Sequence, residues 1–218
     1  MRPYELLIDP ANVDAVGLAS ANDSTTTTFV IDGTLVTGGV FTSADGLAHR
    51  LILTDTAADN QTGSTYTING TDADGHTQTE DIAGPNVSGT VETLKYFLTV
   101  TSVTIASPTA TSATSLGTVD EIATKTIPTD PYREGAAAAG LGDVTGTISL
   151  DVQVTSGNPL TNTSGDQESL GWSDDGTLAA VTANLSATLS VWPILGVRVI
   201  SNSYTDTAQA NFHLTHSS

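Results

Sequence analysis

Two acidic turns carry the side chains best suited to metal chemistry. In the first, Asp72-Ala73-Asp74-Gly75, the carboxylates have a spacing that begins many calcium-binding loops, because hard cations prefer carboxylate oxygens presented on a turn. An EF-hand loop starting at Asp72 would need a bidentate glutamate at its twelfth position, where the chain has Ala83. A hairpin turn explains Asp-Gly without an ion. The turn is therefore favoured, and cation binding at Asp72 and Asp74 is left open.

The second acidic turn follows a tryptophan, in the stretch Trp172-Ser173-Asp174-Asp175-Gly176. Two adjacent carboxylates point in different directions unless a turn gathers them. Asp166 and Glu168 lie close by in the sequence, and carboxylates are the ligands that hard cations prefer. A turn is again the favoured interpretation, and a surface cation site that uses Asp174 and Asp175 is left open.

Histidine and cysteine give little support for catalysis. The chain has four histidines and no cysteine, which excludes a thiolate nucleophile and a thiolate metal site. His213 and His216 have a spacing that suits zinc on a helix, but on a strand their side chains fall on opposite faces. No histidine has a nearby carboxylate and nucleophile that would suggest a triad. The sequence therefore predicts no catalytic residues, no metal or other cofactor, and no enzyme.

The polar surface is predicted to be built from hydroxyl groups. Threonine supplies 38 of the 218 residues, whereas charged residues make up only 14%, against about 25% in an ordinary globular domain. Threonine is β-branched and favours strands. We therefore expect sheets whose polar faces carry hydroxyls in place of lysine and glutamate.

Short alternating runs separated by turn residues predict strands. Thr65-Tyr66-Thr67-Ile68-Asn69 alternates strictly, which places Tyr66 and Ile68 on one buried face. The polar run at residues 77–82 returns after the Asp-Gly turn, so the pattern predicts a hairpin over residues 65–82. The expected fold class is all-β.

Two small β-sandwich or β-barrel-like domains are expected, with an extended N-terminal arm and an irregular connector. The predicted boundaries are an arm at 1–24, a first β domain at 25–118, a connector at 119–146 and a second β domain at 147–218. The connector contains prolines, glycines and a four-alanine run that could form one helical turn. In the second domain, one face is predicted to carry Ile148, Leu150, Val152 and Val154.

One internal similarity suggests that the two β domains end in the same way. Residues 98–107 resemble residues 192–201 in their aromatic lead-in and apolar spacing. Both stretches are followed by a turn of small residues and a closing strand. The similarity indicates either a duplicated unit or two units that share ordinary β patterning.

Contacts with partners are predicted in the arm and in the connector. Pro3 and Pro10 bracket the apolar segment at residues 4–8, which is expected to be an edge strand of the first domain or an arm that lies on a neighbour. The connector places an aromatic residue beside an arginine, a pair favoured at protein interfaces that also suits the domain junction. The predicted contact residues are Tyr4, Leu6, Leu7, Ile8, Tyr132 and Arg133.

The net charge limits the partners. Six lysines and arginines against 24 acidic residues give a formal charge of −18, which disfavours binding to nucleic acid or to an anionic membrane. No stretch approaches the ~18 apolar residues of a membrane span, and the apolar run near residue 4 is too short for a signal peptide. We therefore expect a protein that is not exported by the usual route.

The stretch from Thr65 to Val103 is similar to a segment that recurs in virion structural proteins of tailed bacteriophages. The similarity lies in residues 65–75, 80–86 and 95–103, and residues 194–215 resemble the closing hairpin of such proteins. The resemblance implies a decoration or cement protein on the capsid surface, made in the bacterial cytoplasm. It also implies the major capsid protein as partner and a homotrimer as the favoured assembly.

Two other functions remain as alternatives. The chain could be a tail, adaptor or fibre-associated virion subunit. From a different class, it could be a carbohydrate-binding β module in which Trp172, Trp192 and Tyr204 supply the stacking surface. A glycosidase would need paired carboxylates in a cleft, which the sequence does not indicate.

Overall fold

In the computed structural model the chain is all β, as predicted. The structure describes residues 4–23, 26–108, 113–129, 137–162, 165–189 and 193–216. Strands account for 53% of the chain. Within the described ranges the only helical element is one 3-10 turn at Gln167–Leu170.

The strands are short and follow one another closely along the chain. In chain order they are β1 (Tyr4–Ile8), β2 (Ala19–Asp23), β3 (Thr28–Phe29), β4 (Val36–Thr37), β5 (Val40–Thr42), β6 (Ala48–Asp55), β7 (Thr65–Thr71), β8 (Thr77–Ala83), β9 (Thr90–Glu92), β10 (Thr99–Ala106), β11 (Ala113–Ala123), β12 (Ile127–Pro128), β13 (Ala137–Thr145), β14 (Ile148–Thr155), β15 (Ser173–Asp174), β16 (Leu185–Thr188), β17 (Gly196–Tyr204) and β18 (Gln209–His216).

The chain forms two compact units, which we call unit I and unit II. Unit I is Val13–Val119, and unit II consists of Met1–Asn12 together with Asp120–Ser218. The segment predicted as an arm, residues 1–24, is divided between them, because β1 belongs to unit II and β2 to unit I. The predicted domain boundaries themselves stay predictions.

Both units are sandwich-like and have the same topology. In unit I one sheet has the order β2-β11-β6-β9 and the other contains β8-β7-β10. In unit II the corresponding orders are β1-β18-β13-β16 and β15-β14-β17. Each of these strands has a counterpart in the other unit at the same sheet position and in the same chain order, which supports a duplicated unit.

Strand register agrees with the internal similarity in the sequence. When the two similar stretches are aligned, Val103 of β10 matches Val197 of β17. These two residues have equivalent partners on the adjacent strands. Val103 pairs with Ile68 and Phe29, and Val197 pairs with Val154 and Ile127. The similarity at residues 98–107 and 192–201 therefore marks the same strand of each unit.

Alternation along strands such as β7 and β13 separates a buried face from a more exposed one. In unit I, Tyr66 and Ile68 are fully buried, and the Tyr66 ring meets Phe29 edge-on at 5.9 Å between centroids. β7 pairs with β8 from Thr65 with Ala83 to Thr71 with Thr77, which confirms the predicted hairpin. In unit II, the four residues predicted to share a face, Ile148, Leu150, Val152 and Val154, are all buried.

The segment predicted as an irregular connector contains regular strands. β11 continues to Ala123, and β13 begins at Ala137 within the four-alanine run. Residues 137–139 lie in a strand and not in the helical turn considered for this run. Ala137, Ala139 and Leu141 are buried while their neighbours are half-buried, so the period is two. Small side chains hide this alternation in the sequence, because alanine and glycine give almost no contrast in hydropathy.

The segment at residues 4–8 is an edge strand, but of a different sheet from the predicted one. β1 pairs antiparallel with β18, from Tyr4 with Leu214 to Ile8 with Ala210. It therefore belongs to unit II and not to the first β domain. No local pattern in the sequence indicates this pairing, because its partners lie at opposite ends of the chain.

Candidate functional site

Unit I presents a flat face of small polar side chains on β7, β8 and β10. The residues that alternate with the buried ones form three rows across the three strands, and we call these nine residues the hydroxyl face. The rows, in the order β8, β7, β10, are Thr77, Thr71 and Thr99; Thr79, Asn69 and Ser102; and Asp81, Thr67 and Thr104.

Hydrogen bonds join neighbouring strands along these rows. Each row contains at least one such bond between side chains, so the side chains are held in place by one another. Thr71 Oγ1 and Thr99 Oγ1 share a hydrogen bond of 2.8 Å, Thr79 Oγ1 donates to Asn69 Oδ1 (2.8 Å), Asn69 Nδ2 donates to Ser102 Oγ (3.3 Å) and Thr67 Oγ1 donates to Asp81 Oδ1 (2.6 Å).

This construction suits the hydroxyl face to binding another surface. Threonine has a single, stiff side-chain torsion, and the hydrogen bonds restrict it further. Binding therefore costs little side-chain entropy, whereas a lysine- or glutamate-rich surface loses about 0.5–1.5 kcal/mol for each side chain that becomes fixed. Each threonine also offers a methyl group and a hydroxyl to a partner. The hydroxyl surfaces predicted from the threonine content are confirmed here.

Asp81 is the one ionisable residue of the hydroxyl face. It is exposed, and the residues beside it on β7 and β10 are Thr67 and Thr104. A partner that covered this face would have to match a single negative charge within a field of hydroxyl and amide groups. A cation with several donors does this best.

The carboxylate of the first acidic turn accepts hydrogen bonds from the backbone of the turn itself. Asp72 is buried, and its Oδ1 accepts hydrogen bonds from the backbone N–H groups of Asp74 and His76, both at 2.9 Å. Gly75 has φ +87°, a left-handed conformation that glycine adopts without strain. These contacts are those of a tight turn, the interpretation favoured from the sequence.

The second acidic turn is also held by hydrogen bonds within its own unit. Asp174 Oδ1 accepts from Gln153 Nε2 (2.8 Å), and the fully buried Asp175 accepts from the backbone N–H of Thr177 (3.1 Å). Asp166 accepts from the backbone N–H of Ser169 and so caps the 3-10 turn. Among the described residues, no group of three or more His, Asp or Glu side chains gathers in a way that could hold a metal ion.

A shallow depression of about 350 Å³ lies on unit II, over β13 and its neighbours. Many of its lining residues are small, among them Gly140 and Gly142, and the one titratable residue among the described part of its lining is His213. The carboxylate that faces this histidine is Glu5, at 3.6 Å from His213 Nδ1. The depression therefore brings together no pair of acids of the kind that glycoside hydrolysis requires.

The predicted contact residues on β1 differ in exposure. Leu7 is 56% exposed and Tyr4 38%, whereas Ile8 is fully buried and Leu6 is half-buried. The side chain of Ile8 thus belongs to the core of unit II. Tyr132 and Arg133 lie outside the described residues.

The aromatic residues considered for carbohydrate stacking are used internally where they are described. The guanidinium of Arg198 lies 4.5 Å from the centre of the Trp172 ring. Tyr204 is buried, and its hydroxyl donates to the carbonyl oxygen of Ala11 (2.9 Å). Trp192 lies outside the described residues.

A buried carboxylate anchors the loops beside the hydroxyl face. Asp55 accepts hydrogen bonds from the backbone N–H of Ser88 (2.8 Å) and of Ala57 (3.1 Å) and from Gln61 Nε2 (3.2 Å). Gln61 Oε1 in turn accepts from the hydroxyl of Tyr66, on the inner side of β7. Asp55 thus connects two loops to the strand at the centre of the face.

These hydrogen bonds set the ionisation of Asp55. Burial raises the pKa of its carboxyl group, but the hydrogen bonds from Ser88, Ala57, Gln61 and Asp59 outweigh burial and hold the pKa below its ordinary value of 3.8. A carboxyl group whose pKa is lower in the folded than in the unfolded state stabilises the fold above the unfolded-state pKa. The contribution is lost as the pH falls through the folded-state pKa.

We expect Asp55→Asn to lower the free energy of unfolding by about 1–3 kcal/mol near pH 7, because a charged acceptor of several buried donors is lost. The difference from the wild type should shrink as the pH falls below about 3.8, where the unfolded-state carboxyl is protonated. Urea denaturation followed by circular dichroism at both pH values measures it. The exposed Asp32→Asn serves as control, and a difference that stayed constant with pH would contradict the role of the charge.

The hydroxyl face was not identified as a site from the sequence. The signal that could have found it is the recurrence of threonine within three strands, at 65–71, 77–79 and 99–104. The sequence predicted residues 65–69 as a half-buried strand, but the register that aligns the polar residues of β7, β8 and β10 into rows became visible only in the sheet.

Comparisons with known proteins add no identification. No protein-family model, no curated protein and no solved structure matches the chain. Among the described residues there is also no helix with the length and hydropathy needed to cross a membrane.

Proposed function

We propose that the protein is a non-enzymatic structural component of a tailed-bacteriophage particle that binds the outer capsid surface and stabilises the head lattice. The observation that carries the proposal is the hydroxyl face, a rigid and nearly uncharged sheet surface suited to docking. Its partner is the major capsid protein, and a homotrimer is the favoured bound form.

The resemblance to phage virion proteins falls on the residues that build this face. The similar segments at residues 65–75, 80–86 and 95–103 include all of β7, part of β8 and the first five residues of β10. These segments contain six of the nine residues of the hydroxyl face, among them Thr67, Asn69 and Asp81. The sequence similarity and the docking surface therefore coincide within unit I.

Charge supports a protein partner. The formal charge of −18 repels nucleic acid and anionic lipid, and it favours approach to a basic protein surface. The proposed location is the capsid surface of the virion, reached after synthesis in the bacterial cytoplasm. A tail, adaptor or fibre-associated subunit is the alternative, and it differs in where on the particle the chain binds.

Binding to purified particle parts tests the proposal. Empty heads and isolated tails of the same phage are each mixed with the protein, sedimented, and assayed for bound copies. We expect saturable binding to heads in many copies, because a lattice offers a repeated site. Binding confined to a few copies on tails would replace the capsid assignment with the alternative. Tight binding to a polysaccharide with no binding to either part would contradict a virion role.

A further inference from the structure

The duplicated topology gives the hydroxyl face an equivalent in unit II. Strands β14 and β17 correspond to β7 and β10, and Gln153 pairs with Arg198 where Thr67 pairs with Thr104. In both units the residues on either side of these pairs point into the core, as Val199 does beside Arg198. Gln153 and Arg198 therefore stand on the outward face of their sheet, as Thr67 and Thr104 do.

In unit II this outward face is covered at Arg198 by the chain itself. Residues 165–172, in the connection from β14 to β15, fold back over the guanidinium. Arg198 donates to Gln167 Oε1 (2.9 Å) and bonds Glu168 through Nη1 (2.6 Å) and Nη2 (3.1 Å). Trp172 lies against the same guanidinium. The covering leaves Arg198 only 2% exposed.

In unit I the equivalent connection is too short to provide a cover. The strands β7 and β8 are joined by a tight turn at residues 72–76. Thr79, Ser102 and Thr104 are exposed, and Thr67 is half-exposed. The same sheet position is thus covered in one unit and open in the other.

Charge indicates what would cover the open face. In unit II the row of Gln153 contains a carboxylate, Asp174, and a cation, Arg198, and the covering segment adds the carboxylate of Glu168. On the hydroxyl face the equivalent row keeps the carboxylate, Asp81, but has Thr104 in place of the arginine. The complementary cover must therefore bring the cation. A guanidinium fits better than an ammonium, since it can bond a carboxylate through two parallel hydrogen bonds.

We infer that the hydroxyl face is covered by a polypeptide segment of a neighbouring protein, which bonds Asp81 through an arginine side chain. This inference rests on the proposed function and adds to it the surface and the chemistry of the contact. The segment lies across β7, β8 and β10 of unit I and covers Thr104, as residues 165–172 cover Arg198 on unit II.

Two substitutions on the face and one control test the inference in the head-binding assay. Thr104→Arg gives unit I the residue that unit II has at this position, so that the protein's own guanidinium competes for the place of the partner's. Asp81→Asn keeps an oxygen acceptor for Thr67 but removes the charge. Thr188→Arg adds the same charge at an exposed threonine on a strand of unit II.

We expect Thr104→Arg and Asp81→Asn each to weaken head binding about tenfold or more, the size of one charge-assisted hydrogen bond. Thr188→Arg should bind as the wild type does. Circular dichroism melting curves show whether each variant is folded, and Asp81→Asn carries the test if Thr104→Arg is not. Wild-type binding that survived Asp81→Asn, or a loss as large in Thr188→Arg, would overturn the inference and leave the capsid assignment intact. If the wild type bound no heads, the proposed function would fail and the inference with it.

Discussion

Arg198→Ala is expected to lower the free energy of unfolding of unit II by about 3 kcal/mol, because it removes one partner of a largely buried ion pair. The guanidinium is bonded to Glu168, Gln167 and Gln153, the last through Nε at 2.8 Å. Alanine leaves these acceptors without their donor and opens space beside Trp172. The covering segment at residues 165–172 should then loosen.

Tryptophan fluorescence measures this effect selectively, because both tryptophans lie in unit II. Urea denaturation should show the loss of stability. The fluorescence emission of the native protein should shift to the red as Trp172 becomes more exposed to water. Arg198→Lys should be intermediate, since lysine keeps the charge but not the paired hydrogen bonds. Lys125→Ala, at an exposed position, is the control and should change stability by less than about 0.5 kcal/mol. An Arg198→Ala protein as stable as this control would show that the cluster does not hold the segment.

Ile8→Ala is expected to cost unit II about 3 kcal/mol, whereas Leu7→Ala should cost less than about 0.5 kcal/mol. Ile8 is fully buried and Leu7 is 56% exposed, although the two are neighbours on one edge strand. The pair thus separates the role of β1 in the core from its predicted role in partner contact. The same fluorescence-detected denaturation measures both variants.

The outcome also tests whether β1 is an integral strand of unit II, as its pairing with β18 indicates. If Ile8→Ala were as mild as Leu7→Ala, β1 would not be an integral strand of unit II, and an arm that lies on a neighbour would be favoured. A contact role for Tyr4 and Leu7 stays a prediction. It would appear as weaker attachment of Leu7→Ala to heads at unchanged stability.

Local patterns in the sequence predicted the all-β fold and one of its hairpins. The alternation at Tyr66 and Ile68 gave the hairpin of β7 and β8, and the apolar spacing shared by residues 98–107 and 192–201 indicated a repeated unit. These succeeded because side chains alternate across a strand and apolar residues must be buried on one side. The strand at the four-alanine run was missed because alanine side chains give no such contrast.

Features that depend on distant parts of the chain could not be predicted in this way. The pairing of β1 with β18 and the cluster around Arg198 join residues far apart in the sequence. Glu168 was considered as part of a surface cation site, whereas in the structure it is the partner of Arg198. A single sequence shows which residues alternate, but not which strand lies beside which.

The comparison between the two units explains why the hydroxyl face stands out. The duplication allows a direct comparison. In unit II a folded-back segment covers Arg198, whereas in unit I the equivalent residue, Thr104, is exposed. Exposed threonines by themselves are ordinary on a β surface. Their organisation into hydrogen-bonded rows, together with the cover on the equivalent face, makes this surface a candidate for docking.

An electron cryomicroscopy map of the intact phage particle tests the central claim most directly. We predict density for the two β units at many positions on the outside of the head, with β7, β8 and β10 of unit I against a segment of the neighbouring protein and a basic side chain at Asp81. A map in which the chain is absent from the particle, or sits on it with the hydroxyl face open to solvent, would contradict the claim.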